Sequence, residues 1–419
     1  MTASTQDAFG GDTVPADIAA EDLQKWRDRK RYLWIFSLVP AAAVFIAVAL
    51  VSLTGIGLFY WAGIVIVFGL IPLLDIVFGA DGQNPPDEVM DELDQDKFYR
   101  WVTYAYIPLQ YIGFGLAIYL WATGNLSVFE SIGLATTVGI TSGIGINVAH
   151  EMGHKKEEHE RWLSRIVLAQ SFYGHFFIEH NRGHHVRVAT PEDPASSRLG
   201  ESFYRFWPRS VKGAITSAWE IEKNRFERLS KSHWTLKNDV INAWLMSVVL
   251  FGGILVVLQA LSFAGVLTNY SVLNVLPYLI IQAVFGFSLL EVVNYLEHYG
   301  LRRKKLPTGR YERCAPHHSW NSDHLVTNLA LYQLQRHSDH HANPTRRYQI
   351  LRSMKGSPQL PAGYASMIVL AVIPPVWRAV MDKRVLDHYD GDVTQANIEP
   401  KKRDKILAKY GVPAAADTV

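Results

Sequence analysis

Val128-Phe-Glu-Ser-Ile-Gly-Leu-Ala-Thr-Thr-Val-Gly-Ile-Thr-Ser-Gly-Ile-Gly-Ile-Asn-Val-Ala-His150-Glu-Met-Gly-His154 runs from a long apolar segment straight into two histidines one helical turn apart. A hydrocarbon core about 30 Å thick needs roughly 20 apolar residues of helix to cross it. Residues 128 to 149 meet that length, with one ionisable side chain, Glu130, at the outer edge where it can reach the interface. Gly139 and Gly143 are spaced as a small-xxx-small pair, which lets a neighbouring helix approach closely. Five further segments have the same character, near residues 33 to 53, 58 to 80, 101 to 122, 240 to 262 and 275 to 297. The first and second, third and fourth, and fifth and sixth are joined by short uncharged turns. The expected fold is therefore an all-α integral membrane protein of six transmembrane helices.

The mean hydropathy of +0.04 conceals this pattern, because the connecting stretches hold most of the 41 basic and 39 acidic residues. A net charge of +2 argues against a nucleic-acid surface, which needs a clustered basic excess. The single cysteine, Cys314, excludes an internal disulfide and any four-cysteine metal site within the chain. Lys25, Arg27, Arg29, Lys30 and Arg31 precede the first segment and predict a cytoplasmic amino terminus. Six crossings return the carboxyl terminus to the same side. The expected organisation is a cytoplasmic segment 1–32, helices one to four over 33–149, a cytoplasmic segment 150–239, helices five and six over 240–297, a cytoplasmic cap 298–390, and a tail 391–419 that frays. An apolar run near 363 to 380, interrupted by Pro374 and Pro375, reads as a kinked cap or interfacial helix.

Nine of the sixteen histidines fall in four clusters, and all four land on the predicted cytoplasmic face. They are His150-Glu-Met-Gly-His154, His180-Asn-Arg-Gly-His184-His185, His298 in Glu-His-Tyr-Gly, and His337-Ser-Asp-His340-His341. On an α-helix the pairs 150/154, 180/184 and 337/341 each share a face, so each pair is expected to grip one ion. The doubled His184-His185 and His340-His341 add a ring about 100° away, directed at a neighbouring ion. Taken alone, His-Glu-x-x-His reads equally as a zinc hydrolase site with Glu151 as general base. Nine imidazoles exceed what one catalytic zinc uses, and imidazole also suits iron, so two metals are the better reading.

Several carboxylates are candidates to orient those rings or to offset the metal charge: Glu151, Glu179, Glu297 and Asp339 adjoin clustered histidines, and Glu291 lies deep in the sixth segment. Surface exposure is the competing reading for the first four. Asp75, near the end of the second segment, is expected to snorkel to the interface. His159, His233 and His388 read as solvated, and His175, His317, His318 and His324 as packing or supporting residues. Arg302, Arg303, Lys304 and Lys305 read as a positive-inside anchor, with docking of an acidic electron carrier as a second reading.

These motifs resemble those of the integral-membrane non-haem di-iron alkane 1-monooxygenases. The likeness rests on His150-Glu-Met-Gly-His154-Lys155, Glu179-His180-Asn-Arg-Gly-His184-His185, Asn294-Tyr-Leu-Glu-His298-Tyr-Gly300, Leu334-Gln-Arg-His337-Ser-Asp-His340-His341 and the Asn84-Pro-Pro86 turn. The resemblance implies that His150, His154, His180, His184, His185, His298, His337, His340 and His341 bind two irons, with no haem or flavin. It implies terminal hydroxylation of medium-chain n-alkanes with O2, with electrons from rubredoxin and an NAD(P)H-dependent rubredoxin reductase, in a bacterial inner membrane with the site on the cytoplasmic side. A membrane desaturase or lipid hydroxylase with the same histidine boxes is the alternative; an intramembrane zinc protease and a metal transporter are others. An alkane has no hydrogen-bonding handle, so its length must be read by an apolar channel, for which Trp61, Phe68 and Phe114 are candidate caps.

Overall fold

A computed structural model describes residues 26 to 411, so the amino-terminal segment through Lys25 and residues 412 to 419 lie outside the described residues. Among the described residues the chain is all-helical, with isolated bridges and no strands. Six helices are long and apolar enough to cross a membrane: α1 (Arg31–Thr54), α2 (Gly57–Phe78), α3 (Lys97–Ala122), α4 (Val128–Gly153), then, after shorter segments, α8 (Asp239–Phe263) and α9 (Val272–Glu297). Between them and after them lie α5 (Glu158–Ala169), α6 (residues 176 to 187), α7 (Phe203–Arg228), α10 (Leu325–Ala330), α11 (His337–Ala342), α12 (Tyr364–Ala371), α13 (Pro374–His388) and α14 (Arg403–Tyr410).

Helix α4 is the axis of the bundle: 94% of its apolar window is buried, against 17% for α8, whose apolar face turns outward as lipid contact requires. Its start is set by a capping box, in which the Ser127 amide donates to Glu130 Oε2 (2.8 Å) and the Glu130 amide donates to Ser127 Oγ (3.3 Å). This gives the outer-edge Glu130 a capping role. The small-residue pair works as its spacing predicts. A Cβ on Gly139 would stand 3.0 Å from the Gln282 carbonyl oxygen, and one on Gly143 2.8 Å from that of Gly286, so α4 and α9 meet backbone to backbone. Because α9 carries His298 just past its end, this contact brings two histidine clusters together.

The kinked run is a sharp hairpin, with α12 and α13 bent by 120° at the two prolines. Together with Tyr295, Tyr299 and Trp320 it forms a second buried core over the inner ends of the spans. Two expectations are corrected. Asp75 does not snorkel: it is 2% exposed, and it accepts from the amides of Val326 (2.9 Å) and Thr327 (3.0 Å) and from the Thr327 hydroxyl. It therefore caps the first turn of α10 from another segment, which satisfies donors that would otherwise be buried unpaired. Nor does the whole tail fray. The Leu199 amide donates to the Asn397 carbonyl (2.6 Å), the Asn397 amide donates to that of Gly300 (2.9 Å), and Ile406 of α14 is buried.

Candidate metal centre

The nine clustered histidines converge into two groups. His150, His154, His180, His185 and His340 form one, and His184, His298, His337 and His341 the other, with the ligand atoms inside each group within 4.8 Å of one another. In the first, His340 Nε2 lies 2.9 Å from His150 Nε2 and 3.2 Å from His185 Nε2, which is 3.1 Å from His180 Nε2. In the second, His337 Nε2 lies 3.3 Å from His298 Nε2 and 2.9 Å from His341 Nε2. Adjacent nitrogens bound to one metal at about 2.1 Å stand about 3.0 Å apart, so these spacings fit shared ions.

The grouping corrects one pairing. His150/His154 and His337/His341 share a group, but His180 and His184 are divided between groups, because residues His180–His184 form a π-helical turn. With i→i+5 bonding the face repeats at five residues, so His185 takes the place beside His180 while His184 turns to the second group. The doubled histidines, 184/185 and 340/341, are each split between the groups.

Burial pushes His154, His180, His185, His337, His340 and His341 far below the ordinary imidazole range and His298 down to about 3. Neutral rings with free lone pairs are what a metal requires. The His298 tautomer is set by its Nδ1–H, which donates to the His318 carbonyl (3.1 Å) and leaves Nε2 facing the group. For His184, burial would also lower the pKa, but Asp193 reverses the direction: its Oδ2 lies 2.9 Å from His184 Nδ1. Asp193 in turn is held at about 2 against its own burial, by His184 and by the Ser196 hydroxyl at 2.6 Å.

Asp193 was missed in the sequence, being nine residues from His184 in a Pro-Glu-Asp-Pro turn with no periodicity to mark it. The expected carboxylates behave differently. Glu297 Oε2 lies 3.3 Å from His337 Nε2, within reach of the second group. Glu151 turns away, accepting from Lys155 Nζ (2.9 Å) and the Tyr348 amide (3.2 Å). Asp339 is held by Arg346 (2.8 Å) and the Arg352 amide (2.9 Å), so neither orients a clustered ring by a hydrogen bond. Glu179 is bound by Arg187 (3.1 Å), and burial raises it to about 7. Glu291 accepts from the Tyr173 hydroxyl (2.5 Å) below the centre.

The remaining motif residues are clamps. The Arg336 guanidinium is buried and donates to Leu351 O (2.7 Å), Asp81 O (3.0 Å), Gln83 O (3.1 Å) and Asn84 Oδ1 (3.2 Å), tying α11 to the Asn84-Pro-Pro turn. Gln335 Oε1 accepts from the Tyr364 amide at 2.7 Å. The Tyr299 hydroxyl donates to Asp382 (2.8 Å), and Gly300 takes φ +72°, where a Cβ would stand 2.8 Å from Val385 Cγ1. His-Tyr-Gly therefore places His298 and locks the turn after it onto α13. Of the other histidines, His175 is buried, while His233 packs on Trp219 (5.6 Å) and Trp234 rather than standing free in solvent. His318 Nδ1 accepts from the Ala315 amide (2.9 Å), which leaves its Nε2–H to donate to Glu312 (3.2 Å).

A narrow, part-open cavity ends on His150, His180, His337 and Glu297. Its walls are apolar side chains of α2, α4, α9 and α12, with Asn147, Asn294 and Thr327 the other polar residues. Of the three candidate caps only Phe68 lines it; Trp61 packs on Phe129 and Phe114 on Phe251.

Residues 127 to 371 match the family model described as fatty acid desaturase. Across nearly the full length the chain is similar to alkane 1-monooxygenase 1 of Alcanivorax borkumensis, 45% identical over 93% of this chain and 94% of that protein. It is also 45% identical to the alkane 1-monooxygenase of Acinetobacter baylyi, over 92% of each. A more distant likeness, 26% identical over 73% of this chain and 78% of the other, is to the xylene/toluene monooxygenase hydroxylase component of Pseudomonas putida. Two histidine groups at the end of an apolar cavity, on a multi-pass helical chain with such relatives, leave one assignment: the chain belongs to the alkane 1-monooxygenase family.

Proposed function

We propose that this enzyme hydroxylates the terminal carbon of medium-chain n-alkanes at two irons, one held by His150, His154, His180, His185 and His340 and the other by His184, His298, His337 and His341. The observation that carries the reading is the apolar cavity ending on rings from both groups. A five-imidazole set exceeds the four positions of a tetrahedral zinc and suits iron. Two irons held there would supply reductive activation of O2, with one oxygen atom going to the alcohol and the other to water at the expense of two electrons and two protons.

The protein's part is binding and placement. Burial at about 0.8 kcal/mol per CH2 gives octane on the order of 6 kcal/mol before ordering costs, along walls that are mostly apolar. Asp193 keeps the Nδ1 proton of His184 in place, so that Nε2 faces its group. Electrons come from a carrier outside this sequence, since one cysteine cannot hold a rubredoxin iron, and rubredoxin with its NAD(P)H-dependent reductase is the proposed donor. His154 and His185 are the two clustered histidines that are not fully buried, and Arg161, exposed beside His154, offers an acidic carrier a cationic contact. The basic residues before α1 favour an inner-membrane orientation with both termini and the metal site in the cytoplasm.

The test is reconstitution of the purified protein with rubredoxin, its reductase, NADH and octane, together with elemental analysis. About two irons per chain and 1-octanol as product support the proposal. One zinc and no iron, or a double bond introduced into an acyl chain without octane oxidation, overturns it.

A further inference from the structure

Away from the metal centre, α7 crosses the start of α8 and leaves a second, mostly apolar groove, open to the outside and lined by Ile215, Trp219, Trp234, Trp244 and Val248, with Glu220, the partner of Lys223, its one carboxylate. Asp239, the first residue of α8, pairs with Arg165 (3.1 Å) and Arg182 (3.3 Å), so this end of the span lies level with the metal-site segments. At 1.5 Å per residue, Trp244 and Val248 lie about 7 and 13 Å further along α8. The groove therefore starts at headgroup depth and runs into the acyl region.

Three tryptophans form its upper wall: Trp219 and Trp244 lie parallel with centroids 6.2 Å apart, and Trp234 packs on Trp219 at 5.0 Å. Tryptophan in such a place marks the membrane interface. Around that wall, residues 223 to 237 carry Lys223, Arg225, Arg228, Lys231 and Lys237 against one acid, Glu227. Arg225 is committed to Glu222 (2.6 Å) and Lys223 to Glu220 (3.8 Å). Arg228, Lys231 and Lys237 are exposed and form no salt bridge among the described residues. Leu229, Trp234 and Leu236, between and beside these cations, are also exposed. Free cations on the segment that contributes Trp234 to the groove complement one occupant: a lipid with an anionic headgroup and an acyl chain.

We infer that the groove between α7 and α8 is a binding site for an anionic phospholipid, with its phosphate held by Arg228, Lys231 and Lys237 and one acyl chain lying along Trp219, Trp244 and Val248. This site is separate from the substrate cavity, and it does not depend on the reaction proposed above. Occupancy would fix α7, which packs on α6 and so on the segment carrying His180, His184 and His185.

The full chain in non-ionic detergent is titrated with phosphatidylglycerol brominated on its acyl chain, and tryptophan quenching is followed. Phosphatidylcholine with the same chain and a brominated alkane are the comparison ligands. The expected result is saturable quenching that favours phosphatidylglycerol, by about fivefold per cation at low salt. Arg228→Gln/Lys231→Gln/Lys237→Gln, all exposed positions, should abolish that preference. Trp219→Phe/Trp234→Phe/Trp244→Phe should remove the saturable component while keeping the apolar wall. Equal affinity for both lipids, equal affinity for the headgroup-free alkane, or a preference that survives the triple substitution overturns the proposal. So does saturable quenching that persists when all three groove tryptophans are replaced, because the lipid would then sit elsewhere.

Discussion

Replacing Asp193 should loosen the metal without disturbing a ligand. Its Oδ2 lies 2.9 Å from His184 Nδ1, and both residues are 1% exposed, so the contact is a buried charge-assisted hydrogen bond. Asp193→Asn keeps the shape and one acceptor oxygen but removes the charge, and its amide nitrogen cannot accept from the Ser196 hydroxyl as Oδ2 does at 2.6 Å. Asp193→Ala removes both acceptors and frees the His184 ring to turn. Loss of a carboxylate behind a ligating histidine typically costs 10- to 100-fold in metal affinity, or about 1.4 to 2.7 kcal/mol. The asparagine variant should fall near the lower figure and the alanine variant near the upper. The assay is metal per chain by elemental analysis during timed dialysis against a chelator. Retention in the order Asp, Asn, Ala is expected. Equal retention by all three would refute the reasoning, because the carboxylate would then contribute nothing to the hold on the second group.

The same pair sets an acid limit on the metal-free protein. Asp193 has a folded pKa of about 2 against the usual 3.8, so its contribution is in place above 3.8 and is lost as pH falls towards about 2. His184, with a raised pKa, contributes fully below 6.5 and less as pH rises through its folded value. The stability gap between parent and Asp193→Asn, followed by thermal melts, should therefore close at the acid end. Gly143→Val places a Cβ 2.8 Å from the Gly286 carbonyl oxygen, with no flexible end to yield, and should cost about 1–3 kcal/mol. Gly252→Ala on the outward α8, where nothing lies within 4 Å, should cost little by comparison; equal melting temperatures for the two variants would remove the close helix contact from the account. Phe68→Ala should lengthen the substrate cavity and shift product formation towards longer alkanes, by about fourfold for each further methylene accommodated. An unchanged chain-length profile from competitive turnover of mixed alkanes would place the end wall elsewhere.

The membrane helices were legible in the sequence because bilayer thickness imposes a length that composition alone reveals, and α1 to α4, α8 and α9 lie where the apolar runs do. The Gly139/Gly143 contact was legible for a related reason: a residue without a Cβ, repeated every fourth position, has few other uses in a span. The histidine clusters announced a metal chemistry through residue type and spacing. Their division into five and four was not legible, since it depends on a π-helical turn at His180–His184 that changes the repeat from four residues to five. Asp193, the capping role of Asp75 and the turning away of Glu151 and Asp339 were also hidden. Each depends on which distant segment lies opposite, as when Asp75 meets Val326 and Thr327 across most of the chain. Periodicity and composition are local quantities, and by themselves they determined the spans, the faces of the helices and the kind of ligand. Which ring joins which group, and which carboxylate stands behind it, was decided only by tertiary packing, because hydrogen bonds and close side-chain clusters act through contacts of about 3 Å between residues that the chain separates widely.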